Sequence, residues 1–195
     1  MKLKNVLLSL AVFGAVVSLS SCGYKEVTAE EAAKVVFANS QKEDPGYTKV
    51  VIKSTVNNVE VEVSESAANI GLTKESVLEL FKDQGIEEGK TVEETVEENI
   101  TLLRLEAGDS EEDLVSMFTE MEGATYRLSG EKFEVSYSME ESASGMLIAI
   151  KATTSYNEFN YPIKENGTQT IKMTQGETVL FSISMDVNAS YTYSK

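Results

Sequence analysis

From residue 124 to the C-terminus, apolar and polar residues alternate almost without interruption. A period of two is typical of antiparallel strands that pack on one face and meet water on the other. The pattern predicts strands near 126–128, 133–139, 146–152 and 179–193. It also predicts turns at Ser129-Gly130 and at Asn166-Gly167, and the second is a strong hairpin signal.

The N-terminal half begins with a helical pattern and then changes to a period of two. Thr28 and Glu31 have the spacing of a capping box, and small apolar residues follow at helical spacing. Apolar and polar residues alternate from 50 to 63, with Asn57-Asn58 between the two runs. We therefore expect a helix over 28–40, followed by a hairpin that turns at the two asparagines.

The middle of the chain, roughly residues 73–122, reads as helical. Thr73 precedes a first helix that stops at Gly85, and Ser110 caps a third helix that Gly123 ends. Thr91 and Glu94 form a second capping box, which predicts a helix up to Gly108. Residues 100–105 within it could instead form a short strand.

The assembled prediction is an α+β fold in a single domain, residues 28–195. A long-stranded, strongly curved antiparallel sheet is expected, with the helices from 28–40 and 73–122 packed on one face. This order of elements resembles the half-barrel of LolA-like and LppX-like lipoprotein and lipid carriers. The resemblance concerns layout and size, and no motif supports it.

The N-terminus carries a separate signal. Lys2 and Lys4 precede a 14-residue apolar run, Val6 to Leu19, which is too short to span a bilayer as a helix. The run ends in Leu19-Ser20-Ser21-Cys22, and Cys22 is the single cysteine of the chain. This pattern resembles the lipobox of bacterial lipoproteins. An ordinary signal peptide with an unrelated cysteine is the alternative.

The resemblance implies cleavage after residue 21 and a covalent diacylglycerol on Cys22, whose two acyl chains would anchor the protein stably. Residues 22–27 would then be the lipidated cysteine and a short tether. The expected location is extracytoplasmic, on a bacterial cell membrane, or on the outer membrane of a Gram-negative host. Gly23 follows the cysteine and does not separate these two.

The composition excludes several classes of partner and reaction. The net charge of −15 becomes −17 without Lys2 and Lys4, so nucleic acid is not an expected partner. The chain has no histidine, which removes the commonest general base and the commonest zinc ligand. Neither metal nor non-covalent cofactor is expected. The acids Glu93, Glu94, Glu97 and Glu98 are interpreted as a solvated helix face.

The apolar stripe of the C-terminal sheet is the best candidate for a binding site. Together with a methionine-rich lid, it could line a cavity between the sheet and the helices. The candidate residues are Phe133, Val135, Tyr137, Phe181, Ile183, Met185, Met117, Phe118 and Met121. Alternatively, all nine belong to an ordinary core.

Three functional classes compete. The first is a non-enzymatic, membrane-anchored accessory module of the cell envelope with a protein partner, and it requires the fewest assumptions. The second is a carrier or sensor of an apolar or lipid ligand in the cavity. A hydrolase that relies on paired carboxylates is the third and least supported, so no enzymatic activity is expected.

Overall fold

The computed structural model describes residues 23–82, 86–143 and 145–195. The predicted export segment, the motif that ends at Cys22 and the predicted helix stop at Gly85 lie outside these residues. Nothing in the described part therefore bears on lipidation. No helix among the described residues has both the length and the apolar character to cross a bilayer.

The described residues form one antiparallel sheet of eight strands, in the order β1-β4-β5-β6-β7-β8-β2-β3. The strands are β1 Lys25–Val27, β2 Lys49–Val63, β3 Thr91–Val96, β4 Thr125–Ser129, β5 Lys132–Ala143, β6 Met146–Tyr156, β7 Pro162–Gln175 and β8 Thr178–Ser194. The helices are α1 Ala29–Ser40, α2 Glu65–Asn69, α3 Lys74–Lys82 and α4 Glu111–Glu120, with a 3-10 helix at Ile100–Leu103. The predicted α+β class with an antiparallel sheet is confirmed.

Local signals explain why two of the helices start where they do. Thr28 accepts a hydrogen bond from the Glu31 backbone amide at 3.2 Å, and the Glu31 carboxylate accepts one from the Thr28 amide at 2.9 Å. This is the predicted capping box. Ser110 likewise accepts from the Asp113 amide at 3.1 Å and starts α4. Both predicted helix starts are confirmed.

The hairpin predicted at Asn57-Asn58 is wrong. The chain continues through both asparagines as the single strand β2, which pairs with β8 on both sides of an irregularity between Asn57 and Glu60. Asn58 does have a positive φ of 51°, but this conformation serves a bulge instead of a turn. Its side-chain amide donates to Asp186 of β8 at 2.6 Å.

The hairpin predicted at Asn166-Gly167 is also wrong. Both residues lie within β7, where Gly167 pairs with Ala152 on one side and Val187 on the other. The chain turns instead before and after β7, at residues 157–161 and at Gly176. Long pairing with two neighbouring strands overrides the local turn preference of Asn-Gly, because breaking β7 would leave both ladders unsatisfied.

The capping box predicted at Thr91 and Glu94 is wrong, because residues 91–96 form the edge strand β3. A helix would place Glu93 and Glu97 one turn apart, where like charges repel. In the strand, Glu93 instead contacts Lys53 of β2 at 2.9 Å. Residues 100–103 then form a 3-10 helix. Both alternatives predicted for them, a continued α-helix and a short strand, are therefore wrong.

The sheet also extends beyond the predicted domain boundary. Lys25–Val27 were assigned to the tether, but they form β1 and pair with β4. Tyr24 contributes as well, because the Arg127 guanidinium lies over its ring at 5.8 Å. Four residues of the predicted tether, 24–27, thus belong to the domain.

Among the described residues, the core consists of four clusters spread along the sheet. The α1–α4 cluster joins α1 and α4 to β4 and β5, and the α3 cluster joins Val77, Phe81 and Ile86 to β2, β7 and β8. The edge cluster joins the 3-10 helix and Tyr161 to β2 and β8. The central cluster holds Ile148, Ile150 and Ala152 of β6, with Tyr137 and Met139 of β5 and Met146 packed against them.

Candidate functional site

Eight of the nine residues predicted to line one cavity are divided between two clusters, and one of the eight, Tyr137, also packs against the central cluster. Phe133, Val135 and Phe118 are buried in the α1–α4 cluster, with Tyr137 and Met121 packed against it. Phe181, Ile183 and Met185 are buried in the α3 cluster. Met117 is 42 % exposed on the outer side of α4. The structure therefore does not bring the nine residues together.

The α1–α4 cluster is built around stacked aromatic rings. The Phe118 ring stacks on Tyr126 at 4.9 Å and on Phe133 at 5.5 Å between ring centroids. The Tyr126 hydroxyl donates to the Phe118 carbonyl at 2.6 Å, which fixes α4 to β4. The predicted lid residue Phe118 is thus a packing residue.

Two helical blocks contact the sheet at different strands. One block, α1 and α4, packs on β4 and β5, and α3 packs on residues of β2, β7 and β8. In the strand order, β6 and the adjoining part of β7 lie between these two places. Among the described residues, no helix contributes to the central cluster, which contains residues of β5 and β6.

The inner face of these middle strands follows from their pairing register. Directly paired residues of antiparallel strands point to the same face. Tyr137, Ala152 and Gly167 therefore form one row across β5, β6 and β7, and Met139, Ile150 and Gln169 form the next. We call this surface the central surface. Its members are Tyr137, Met139, Ile148, Ile150, Ala152, Glu165, Gly167 and Gln169.

The central surface has its smallest side chains where Ala152 pairs with Gly167, and we call this pair of residues its floor. A glycine inside a strand weakens the strand, and such a position often allows another group to approach the backbone closely. Ile150, which is 1 % exposed, and Ile148 supply large apolar side chains next to this floor. The pair of small residues is therefore bordered by large apolar side chains.

Two polar residues of β7 interrupt the apolar surface, one on each side of Gly167. Glu165 is 2 % exposed, and its carboxylate accepts a hydrogen bond from the Tyr191 hydroxyl at 3.0 Å. Gln169 is 3 % exposed, and its amide nitrogen has no hydrogen-bond partner among the described residues. Buried polar groups are usually paired, so Gln169 requires an explanation.

The tyrosines around Glu165 remain protonated. Burial, and after it the negative charge of Glu165, raises the pKa of Tyr137, Tyr156 and Tyr191 far above the usual range. Their hydroxyls therefore stay protonated near neutral pH and can donate and accept hydrogen bonds. The chemistry that these groups offer is recognition by hydrogen bonding.

Sequence reasoning missed Gly167, Glu165 and Gln169 because it placed a turn at 166–167. Without that turn, the period of two from Glu165 to Met173 would have aligned Glu165, Gly167 and Gln169 with Ile171 on the packed face. Two polar residues at core-facing positions were the available signal, since such positions are normally apolar.

The acidic residues assigned to a helix lie instead on and just after the edge strand β3. All four side chains are exposed, and two of them contact lysines of β2: Glu93 lies 2.9 Å from Lys53, and Glu97 lies 3.6 Å from Lys49. Across the described ranges, no group of three or more His, Cys, Asp or Glu side chains could hold a metal ion. The solvated interpretation of these acids fits their exposure, although the helix does not exist.

The chain was compared with protein-family models, with curated proteins and with solved structures, and none of the three comparisons gives a match.

Proposed function

We propose that this chain is a lipid-anchored extracytoplasmic protein, without enzymatic activity, that holds an apolar ligand against the central surface of its sheet. The single observation that carries the proposal is the separation of the core. The central cluster, with Ile148, Ile150 and Ala152 buried, contains no helix residue among the described ones. This face is apolar and buried although no helix of the described residues belongs to its cluster, and this supports placing an apolar ligand there.

The proposal includes a curved sheet with all helices on the ligand side. The pairing register supports this, because Phe133, Ile171 and Ile183 share one face of the sheet. Phe133 belongs to the α1–α4 cluster, whereas Ile171 and Ile183 belong to the α3 cluster. Register shifts at Asn57/Glu60, Ser155/Tyr156 and Met173/Thr174 supply bends that favour curvature.

The ligand site is tested with N-phenyl-1-naphthylamine, a neutral dye that fluoresces strongly in apolar surroundings. The protein used is residues 23–195, because all four core clusters lie within this part of the chain. We expect saturable binding to the unmodified domain. Gly167→Val fills the floor of the central surface and should weaken dye binding at least about ten-fold.

The matched control is Thr168→Val, which changes the next residue of β7 on the opposite face of the sheet. It should bind the dye like the unmodified domain. Circular dichroism would confirm that each variant is folded. If the domain does not bind the dye, or if Gly167→Val binds it unchanged, the proposed site is wrong.

The anchor is tested separately with Cys22→Ser in the full chain, expressed in a bacterial host. The unmodified chain should appear in the membrane fraction and carry the extra mass of a diacylglycerol. The variant should lack that mass. If its export segment is cleaved, it should leave the membrane fraction; if not, it should keep the mass of the uncleaved chain. Equal membrane association and equal mass for both chains would contradict lipidation at this cysteine.

A protein partner in the cell envelope is a second candidate function, and one observation favours it. Ile70 is 81 % exposed and Leu80 is 61 % exposed, both in the stretch that contains α2 and α3. Large exposed apolar side chains often mark an interaction surface. Crosslinking in the native host from this stretch would reveal such a partner.

A further inference from the structure

Gln169 is surrounded by apolar side chains of the neighbouring strands. Its direct partners are Ile150 of β6 and Met185 of β8, and the next residue of β7 on the same face is Ile171. All three are buried. A leucine or isoleucine would fit such a position better than a glutamine does, if packing alone decided.

The amide nitrogen of Gln169 finds no hydrogen-bond partner among the described residues. Leaving a buried N–H without a partner costs free energy, because the group loses its hydrogen bonds to water on folding. A second molecule with an oxygen acceptor at this point would remove the cost. The side chain therefore indicates what the ligand must offer.

The surroundings disfavour an anionic ligand. The lysines of the middle strands, Lys151, Lys164 and Lys172, alternate with the inner-face residues and therefore point away from Gln169. Glu165 lies two positions beyond Gly167 on the same face. A carboxylate or phosphate brought to this surface would meet the acidic side chain and no lysine of these strands.

We propose that Gln169 determines the specificity of the central surface, by donating a hydrogen bond from its amide nitrogen to an uncharged oxygen of an otherwise apolar ligand. An ester or an alcohol on a long hydrocarbon chain has this chemistry. The inference rests on the proposed function, because it concerns the same ligand site. It adds that the site selects an uncharged, oxygen-bearing amphiphile over a pure hydrocarbon and over an anion.

The test uses residues 23–195 with N-phenyl-1-naphthylamine bound, and measures displacement of the dye. Three competitors of similar chain length are delivered from cyclodextrin: methyl palmitate, heptadecane and hexadecanesulfonate. Methyl palmitate should displace the dye at a concentration about ten-fold lower than heptadecane, the expected value of one buried hydrogen bond. Hexadecanesulfonate, a permanent anion, should be the weakest competitor.

The decisive variant is Gln169→Leu, which keeps the size of the side chain and removes the donor. Heptadecane and methyl palmitate should then compete within about three-fold of each other, while the dye itself still binds. Gln175→Leu is the matched control, because Gln175 is an exposed glutamine of the same strand. It should retain the full preference for the ester.

The outcomes separate this inference from the proposed function. If the unmodified domain does not bind the dye, both fail. If it binds the dye but the ester and the alkane compete equally, Gln169 bonds only a trapped water, and the specificity inference alone fails. It also fails if the anion competes as well as the ester, or if Gln169→Leu keeps the preference.

Discussion

Two helical regions contact the same sheet but are held to it in different ways. The α1–α4 block, residues 29–40 and 111–120, is joined to the sheet by stacked aromatic rings and by hydrogen bonds from distant residues. The α2–α3 segment, residues 65–82, is joined mainly by Val77 and Phe81. The difference indicates which region is rigid and which can move.

The C-terminal end of α1 shows how the first region is fixed. Arg104 donates to the carbonyls of Asn39 at 2.9 Å, Ser40 at 3.1 Å and Phe159 at 2.9 Å. Asn160 donates to the Val36 carbonyl at 2.8 Å. The bonds to Asn39 and Ser40 satisfy carbonyls at the end of α1, and those involving Phe159 and Asn160 connect this end of the helix to the turn at 157–161.

Within the part of the chain that the structure describes, the α2–α3 segment has no comparable connection. Among the described residues, its side-chain hydrogen bonds stay within the segment and its immediate flank, such as that from the Ser76 amide to Thr73 at 3.2 Å. Its backbone link to the sheet is the bond from Ser64 to the Leu180 carbonyl at 2.9 Å, next to α2. Few buried contacts and exposed apolar residues are the properties of a region that opens at low cost.

The largest effect is expected for a truncation in the core of the rigid region. Phe133 is fully buried and stacks on both Phe118 and Tyr156. Phe133→Ala should lower the free energy of unfolding by about 3–5 kcal/mol, measured by urea denaturation. Leu102→Ala, at a 76 % exposed position, is the control and should change it by less than about 0.5 kcal/mol. Equal effects would contradict the assigned core.

The next largest effect should come from removing the Arg104 guanidinium. Arg104→Met keeps the aliphatic stem but leaves the carbonyls of Asn39, Ser40 and Phe159 without this donor. The loss should be about 2 kcal/mol by urea denaturation. Lys132→Met, at an exposed position on β5, is the control. If Arg104→Met is as stable as the unmodified domain, the network does not fix α1.

A smaller global effect is expected for Phe81→Ala in the α2–α3 segment. A segment that opens by itself has little local stability to lose, so the global midpoint should shift less than half as far as in Phe133→Ala. Hydrogen exchange should accelerate in residues 74–82 and remain unchanged in 29–40 and 111–120. Acceleration throughout the chain would show that the two regions unfold together and would remove the contrast.

The sequence predicted most of the rigid region, because its signals are local. Thr28 with Glu31, and Ser110 before three acids, specify helix starts through neighbours three residues away. The alternation in β8 specifies a strand without reference to its partners. Such elements follow from the chain itself, and the structure contains them where the patterns place them.

The middle of the sheet was not predicted, because its structure depends on distant partners. Asn166-Gly167 has a local turn preference, but β6 and β8 pair with both residues and keep them in a strand. Gln169 reads as a solvent-facing residue until the register places it between Ile150 and Met185. The candidate site includes such positions, and of the nine residues that the sequence pattern singled out, Tyr137 alone belongs to the central surface.

The smallest predicted effect concerns pH and a contact beside the rigid region. The Tyr161 hydroxyl donates to Asp44 at 2.6 Å. This bond, and after it the Gly46 amide, lowers the pKa of Asp44, while burial and then the bond raise the pKa of Tyr161 to about 12. A lowered carboxyl pKa gives stability that is present above its ordinary value and lost as the pH falls through the folded-state value. A raised tyrosine pKa gives stability that is present below about pH 10 and lost as the pH rises towards 12.

Tyr161→Phe should therefore flatten both ends of the curve of melting temperature against pH, since it removes the donor to Asp44 and the titrating hydroxyl together. The comparison variant is Glu75→Gln in the α2–α3 segment, where the Glu75 backbone amide and then Thr73 lower the pKa of a fully exposed carboxyl. Water screens that interaction, so the acid limb of this variant should match the unmodified domain within error. If Glu75→Gln changes the acid limb as much as Tyr161→Phe does, the α2–α3 segment contributes as much polar stabilisation as the α1–α4 side. In that case the two regions differ in packing alone.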